Sequence, residues 1–195
     1  MSTVYDNEMF EFLTSNKVRF ESACNIYVNF PKIKEKILKD FWNEVKNNLD
    51  KKIKKSDWKS KLIEGEYLAI YLPLWYENGK DNECCFQAFF ANLLGASWGL
   101  TLCFEINKEE DEWKKPSDIE KIKSMLPNMK QLPKKTDGWN VRWESTDYDF
   151  RKSESLFNAL FDRNDVADKL AQKLLDFGER IKDDVNEMCK MVKKI

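Results

Sequence analysis

The stretch Tyr67-Leu68-Ala69-Ile70-Tyr71-Leu72-Pro73-Leu74-Trp75 decides the fold class. Leu68, Ile70, Leu72 and Leu74 alternate with Tyr67, Ala69, Tyr71 and Trp75, which is the two-residue period of a β-strand. Both sets are apolar or aromatic, so the strand is expected to be covered on both faces. Pro73 has no amide hydrogen for a ladder, which marks that end as an edge or a bulge.

Reading outward, Asn78-Gly79 is a turn signal inside a longer polar loop. Cys84 to Phe90 follows with Phe86, Ala88 and Phe90 on one face, although a helix running on to Gly95 competes. Trp98 to Ile106 reads as a third strand, with Trp98, Leu100, Leu102, Phe104 and Ile106 inward. Trp139, Val141 and Trp143 alternate with Asn140, Arg142 and Glu144 and make a fourth. Between the last two lies a charged connection and a short helix over Ile119, Ile122 and Leu126, ended by Pro127.

Helical periods flank this β region. Pro31 suits a first helical turn, and Ile33, Ile37, Phe41, Val45, Leu49 and Ile53 recur every four residues, giving a helix of about five turns. Asp57 is read as the cap of a short turn carrying Trp58 and Leu62. At the other end, a short helix covers Leu156, Phe157, Leu160 and Phe161. A long one then starts at Asn164 or Asp165, with a seam of Leu170, Leu174, Phe177, Ile181, Val185, Met188 and Val192. That seam is expected to pack on the sheet. Asn7 to Thr14 suggests a further short helix. Residues 18–30 fit both an alternating pattern and one helix face, with the helical reading preferred. Strands in the middle and helices at both ends predict one α+β domain over residues 1–195: a mostly antiparallel sheet of three to five strands packed by two long helices.

Composition excludes much chemistry. The 195 residues contain no histidine, so no Ser-His-Asp triad, no Cys-His dyad and no zinc site with a histidine ligand can form within the chain. Five cysteines, an odd number, stand at Cys24, Cys84, Cys85, Cys103 and Cys189 without a CxxC spacing. The opening residues lack the basic and apolar regions of a signal peptide. Together these predict a cytoplasmic protein with free thiols. No apolar run reaches the roughly 18 residues of a membrane span, so no membrane partner is expected. Sixteen Asn among abundant Lys fit an A+T-rich coding genome, such as that of a low-G+C bacterium or a phage.

Charge is balanced overall at −1 but unevenly spread. Residues 31–61 hold eleven lysines and five acids. Lys36 and Lys39 are candidate phosphate contacts there, although Glu35–Lys39 and Asp50–Lys54 are spaced to pair and neutralise part of the potential. The segment has no arginine, so any nucleic-acid binding is expected to be weak.

Three motifs bear on catalysis. Gly95-Ala96-Ser97-Trp98-Gly99 matches G-x-S-x-G, but a nucleophile elbow needs a helix after the serine, and a strand is expected there. Asp147-Tyr148-Asp149 has the spacing of a metal-binding DxD pair. Glu105-Ile106-Asn107, with Asp81 upstream, loosely resembles the metal-binding strand of PD-(D/E)XK nucleases, which would imply Mg²⁺ held by Asp81 and Glu105. Asn107 stands where that class usually has lysine, and no Pro-Asp pair occurs at Asp81. Absent that chemistry, no cofactor is expected. Trp58 and Trp113 sit among charges, and exposed Trp marks contact hot spots. These features predict a small non-catalytic protein that binds a protein partner, in a bacterial or phage conflict system. The alternatives are a divergent magnesium-dependent nuclease and a weak nucleic-acid binder.

Overall fold

The computed structural model of the chain describes residues 4–63, 65–75, 86–94, 99–106 and 139–192. The described elements are helices α1 (Val4–Thr14) and α2 (Lys17–Ile53), strands β1 (Lys59–Ile63) and β2 (Tyr67–Tyr71), a 3₁₀ turn (Pro73–Trp75), strands β3 (Phe86–Ala91), β4 (Thr101–Ile106) and β5 (Trp139–Ser145), and helices α3 (Ser153–Phe161) and α4 (Arg163–Val192). By compactness the chain divides into two units, Met1–Ile37 and Leu38–Ile195.

The second unit carries the α+β architecture. Its five strands form one antiparallel sheet in the order β1-β2-β3-β4-β5, a meander in which each strand pairs with its neighbour in sequence. Ala69 pairs with Phe89, Phe89 with Cys103 and Cys103 with Trp143, so the register is continuous across four strands. A bulge at Phe104/Glu105 interrupts the last ladder.

One sheet face buries Leu68, Ile70, Ala88, Phe90 and Leu102. The part of α2 in this unit lies against it through Leu38, Phe41, Trp42, Val45 and Leu49. Trp42 stands 5.9 Å from Phe90 and donates its indole N–H to the Leu93 carbonyl at 2.8 Å. Phe150 meets both Phe41 and Trp42 edge-on. Along α4, Leu170, Leu174, Phe177, Ile181 and Val185 are all buried, and the helix contacts β2, β3 and the 3₁₀ turn. Gly178 permits this approach: a Cβ there would collide with Ile70 Cδ1 and stand 3.1 Å from Trp58 Cη2. The opposite sheet face is buried too, around Ala69, Phe89 and Cys103 with Tyr67 and Ala91 beside them. This is the coverage of both faces expected from Tyr67–Trp75.

Several elements differ from expectation. The segment after Asp57 is an edge strand, β1, and not a capped turn. Lys59-Ser60-Lys61 has no apolar alternation, and its extended state comes from pairing with Tyr71, Ile70 and Ala69 of β2. Lysines on such an edge discourage further strand pairing. β2 ends at Tyr71, and Pro73 opens a 3₁₀ turn in place of the last strand residues. Pro31 lies inside α2 and does not start it. Its ring removes the amide that would bond the Tyr27 carbonyl, which on an exposed helix can turn to water. Residues 18–30 are helical, as preferred. The short helix read over Ile119–Leu126 lies outside the described residues.

Candidate interaction surface

The first unit is built from α1 and the start of α2. Asn16 caps α2, its Oδ1 accepting the amide of Val18 at 2.8 Å. Arg19 leans back over the Phe12 ring at 4.5 Å and donates to Ser15 Oγ at 3.3 Å. Beyond these contacts, ten large apolar side chains among the described residues of this unit stand in solvent. Met9, Phe10 and Phe12 of α1 are exposed, Phe10 by 66%. On α2 so are Val18, Phe20, Ile26, Tyr27, Val28, Phe30 and Ile33, with Tyr27 at 83% and Val28 at 71%.

From Ser22 to Pro31 there is no charged residue. At 100° per residue, Ile26, Tyr27 and Val28 point in three directions, and Phe30 and Ile33 fill the arc between them. Ala23, Ile26, Tyr27, Val28, Phe30 and Pro31 line an apolar groove. A helix that is apolar on most sides belongs in an interior. Five exposed aromatics, at about 150–250 Å² of side-chain area each, together with five aliphatics, leave roughly 1,000 Å² of apolar surface open.

A second, smaller patch lies in the other unit, on α3. This helix buries its small residues, Ser155 and Ala159, and exposes Phe157, Leu160 and Phe161. The Phe157 and Phe161 ring centroids lie 4.4 Å apart, with the rings tilted 40° to each other.

The residues singled out from sequence fall differently. Trp58 is 2% exposed. Its ring meets Trp75 edge-on at 5.2 Å, and its indole N–H donates to Glu179 Oε1 at 2.5 Å. The surface position read from its charged neighbours is therefore corrected: the flanking lysines point out while the ring points in. Trp113 and Asp81 lie outside the described residues, as do Ser97, Cys84 and Cys85. Glu105 sits on β4 in register with Gln87 of β3 and Asn140 of β5. Among the described residues no group of three or more Cys, Asp or Glu side chains could hold a metal ion.

Asp149 is engaged by Arg151, whose Nε and Nη2 donate to its two carboxylate oxygens at 2.8 and 2.7 Å. These bonds, helped by the Arg151 backbone amide, hold the carboxyl down at about 2. A carboxylate so neutralised is a poor half of a DxD metal pair. Gly99 has φ +69° and leads into β4, with Leu100 N bonded to the Tyr148 carbonyl at 2.8 Å. A strand thus follows the G-x-S-x-G run, as expected.

On the basic helix, Lys36 is exposed and Lys39 half-buried. Asp50 pairs with Lys46 at 2.6 Å and also accepts from Ser60 Oγ, so the expected Asp50–Lys54 pairing is replaced by one a turn earlier. Lys52 reaches across to Asp168 of α4 at 2.9 Å. The apolar surface of the first unit was the feature missed from sequence. Its signal was the uncharged run Ser22–Pro31, too apolar around its circumference for burial on one side.

No helix among the described residues is long and apolar enough to cross a membrane. No family model, no curated protein and no solved structure matches the chain.

Proposed function

We propose that this chain is a non-catalytic interaction protein that holds a protein partner against its N-terminal helical unit, with the α+β unit as a stable carrier. One observation carries the reading: the uncharged segment Ser22–Pro31 exposes apolar side chains around most of a helix. At about 25 cal/mol per Å², covering roughly 1,000 Å² is worth on the order of 25 kcal/mol before costs. Association costs about 4–15 kcal/mol in lost freedom and more in side-chain ordering, so a surplus remains for a stable complex. Aromatic residues dominate binding hot spots, and Phe10, Phe12, Phe20, Tyr27 and Phe30 supply them here.

The test is photo-crosslinking in the cells that express the protein. A benzophenone amino acid replaces Tyr27, and in a control replaces exposed Lys59 on the β1 edge. The expected result is a discrete protein adduct from position 27 and none from position 59. Absence of any protein adduct at 27, and at 10 and 28 in turn, contradicts the reading.

A further inference from the structure

We infer that the occupant of this surface is a second copy of the same chain, so that two N-terminal units enclose each other. This rests on the interaction reading above and names its partner.

The geometry of α2 comes first. Ile33, Ile26, Phe30, Tyr27 and Val28 together cover well over half of the helix circumference, against an apolar stripe of about 100° for a helix lying on one surface. The occupant must therefore reach α2 from two sides. A second N-terminal unit brings two helices, α1 and α2, which is the number needed.

Charge is the second argument. α1 carries Asp6, Glu8 and Glu11 and no basic residue. The N-terminal part of α2 has Lys17 and Arg19 before the uncharged run, and Lys32, Lys34 and Lys36 after it, against Glu21 and Glu35. A second copy sets an acidic α1 against a basic α2. Under two-fold symmetry each such match occurs twice. An anionic lipid surface or a nucleic acid would repel α1.

Area is the third. About 1,000 Å² of open apolar surface per chain is close to the roughly 800 Å² per partner of a standard interface. Finally, α1 has only 11 residues, nearly all exposed, and isolated helices shorter than about 12–15 residues are marginal in water. A partner present whenever the chain is present would keep it folded.

The experiment is analytical ultracentrifugation of the full chain over a range of concentrations, with cross-linking through Cys24. This thiol is exposed and falls within the apolar arc. Wild type is expected at twice its 23.2 kDa mass, and a short bismaleimide should join two copies, a product lost in Cys24→Ser. Ile26→Asp with Val28→Asp should weaken self-association at least about tenfold, the equivalent of about 1.4 kcal/mol, without moving the melting midpoint of the α+β unit. A charge swap supplies a second variant. Asp6→Lys, Glu8→Lys and Glu11→Lys together should weaken association, and Lys32→Glu, Lys34→Glu and Lys36→Glu added to the same chain should restore it. A wild-type monomer at all concentrations overturns the inference. If position 27 still yields a heterologous adduct, the interaction reading survives and only the second copy falls. If there is no adduct, both fall. A monomer that binds phosphatidylcholine–phosphatidylglycerol vesicles, and loses this with Ile26→Asp and Val28→Asp, overturns both in favour of a lipid surface.

Discussion

Trp58 and Glu179 are 121 positions apart and joined by a 2.5 Å hydrogen bond from the indole N–H to the carboxylate. The bond ties the entry to the edge strand β1 to the middle of α4. It lets a Trp enter the core with its one polar atom satisfied. Trp58→Ala removes the ring from between α4 and Trp75 and should cost about 3–5 kcal/mol, a large share of the 5–15 kcal/mol typical of a whole domain. Trp58→Phe keeps most of the packing and should lose only about 1–2 kcal/mol. Urea midpoints of the two variants check this. An alanine variant as stable as wild type would mean that the ring is not a core element.

Gly178 and Ile70 make a sharper pair. Gly178→Ala gains helix propensity worth about 1 kcal/mol, but its methyl collides with Ile70 Cδ1. Overpacking of this kind costs about 1–3 kcal/mol, so the net change should be destabilising. Ile70→Val deletes the offending Cδ1. The double variant should therefore be more stable than the sum of the two single changes allows, by about 1 kcal/mol. Additive denaturation energies would show that α4 can shift to admit the methyl.

Leu174 is fully buried on α4. Leu174→Ala should cost about 2–5 kcal/mol, and the drop in midpoint relative to wild type should be the same at every protein concentration. A loss that grows on dilution would place the seam in an oligomer contact, contrary to its packing on β2 and β3.

The legible parts of this fold were those where one residue pattern had one solution. Tyr67–Tyr71 is apolar on both sides, and the sheet is buried on both. Leu170 to Val185 has one apolar face, and that face is inside. β1 was illegible because an edge strand takes its conformation from its partner: Lys59 and Lys61 carry no pattern until Ala69 and Tyr71 lie beside them. Pro31 misled because its local preference for a first turn gave way to helix on both sides. Trp58 misled because its neighbours, Lys54, Lys55, Asp57, Lys59 and Lys61, describe the outside of a backbone whose ring turns in. The interaction surface was hidden for a different reason. Burial is normally inferred from apolar character, and Ile26, Tyr27 and Val28 are apolar without being buried within their own chain.

The Asp149–Arg151 pair makes a pH prediction. The carboxyl sits at about 2, below its ordinary 3.8, because Arg151 donates to it from side chain and backbone. A depressed folded value contributes stability that is complete above the unfolded value of 3.8. That contribution is lost as the pH falls from there toward 2. Arg151→Ala removes the side-chain donors, so the Asp149 carboxyl should titrate closer to 3.8, and this acid-linked loss of stability should shrink. Carboxyl-carbon NMR titrations of both proteins measure it directly. An Asp149 that still titrates near 2 in the variant would assign the effect to the backbone turn.

The basic segment of α2 should bind nucleic acid weakly or not at all. Its charge is real, but Lys46 and Lys52 are already paired with Asp50 and Asp168. Single-stranded nucleic acid is usually held by aromatic stacking beside the cations, and within residues 31–61 the aromatics Phe41, Trp42 and Trp58 are buried. Arginine, the best phosphate fork, is absent from residues 31–61. Dissociation constants for DNA or RNA should be no tighter than about 10⁻⁶ M at physiological salt. Lys36→Glu with Lys39→Glu should lower what binding there is by little more than the lost charges require. The measurement is a titration of labelled single- and double-stranded oligonucleotides at several salt concentrations. Sub-micromolar binding with a steep salt slope that collapses in the double variant would make α2 a nucleic-acid surface, and the apolar N-terminal unit secondary to it.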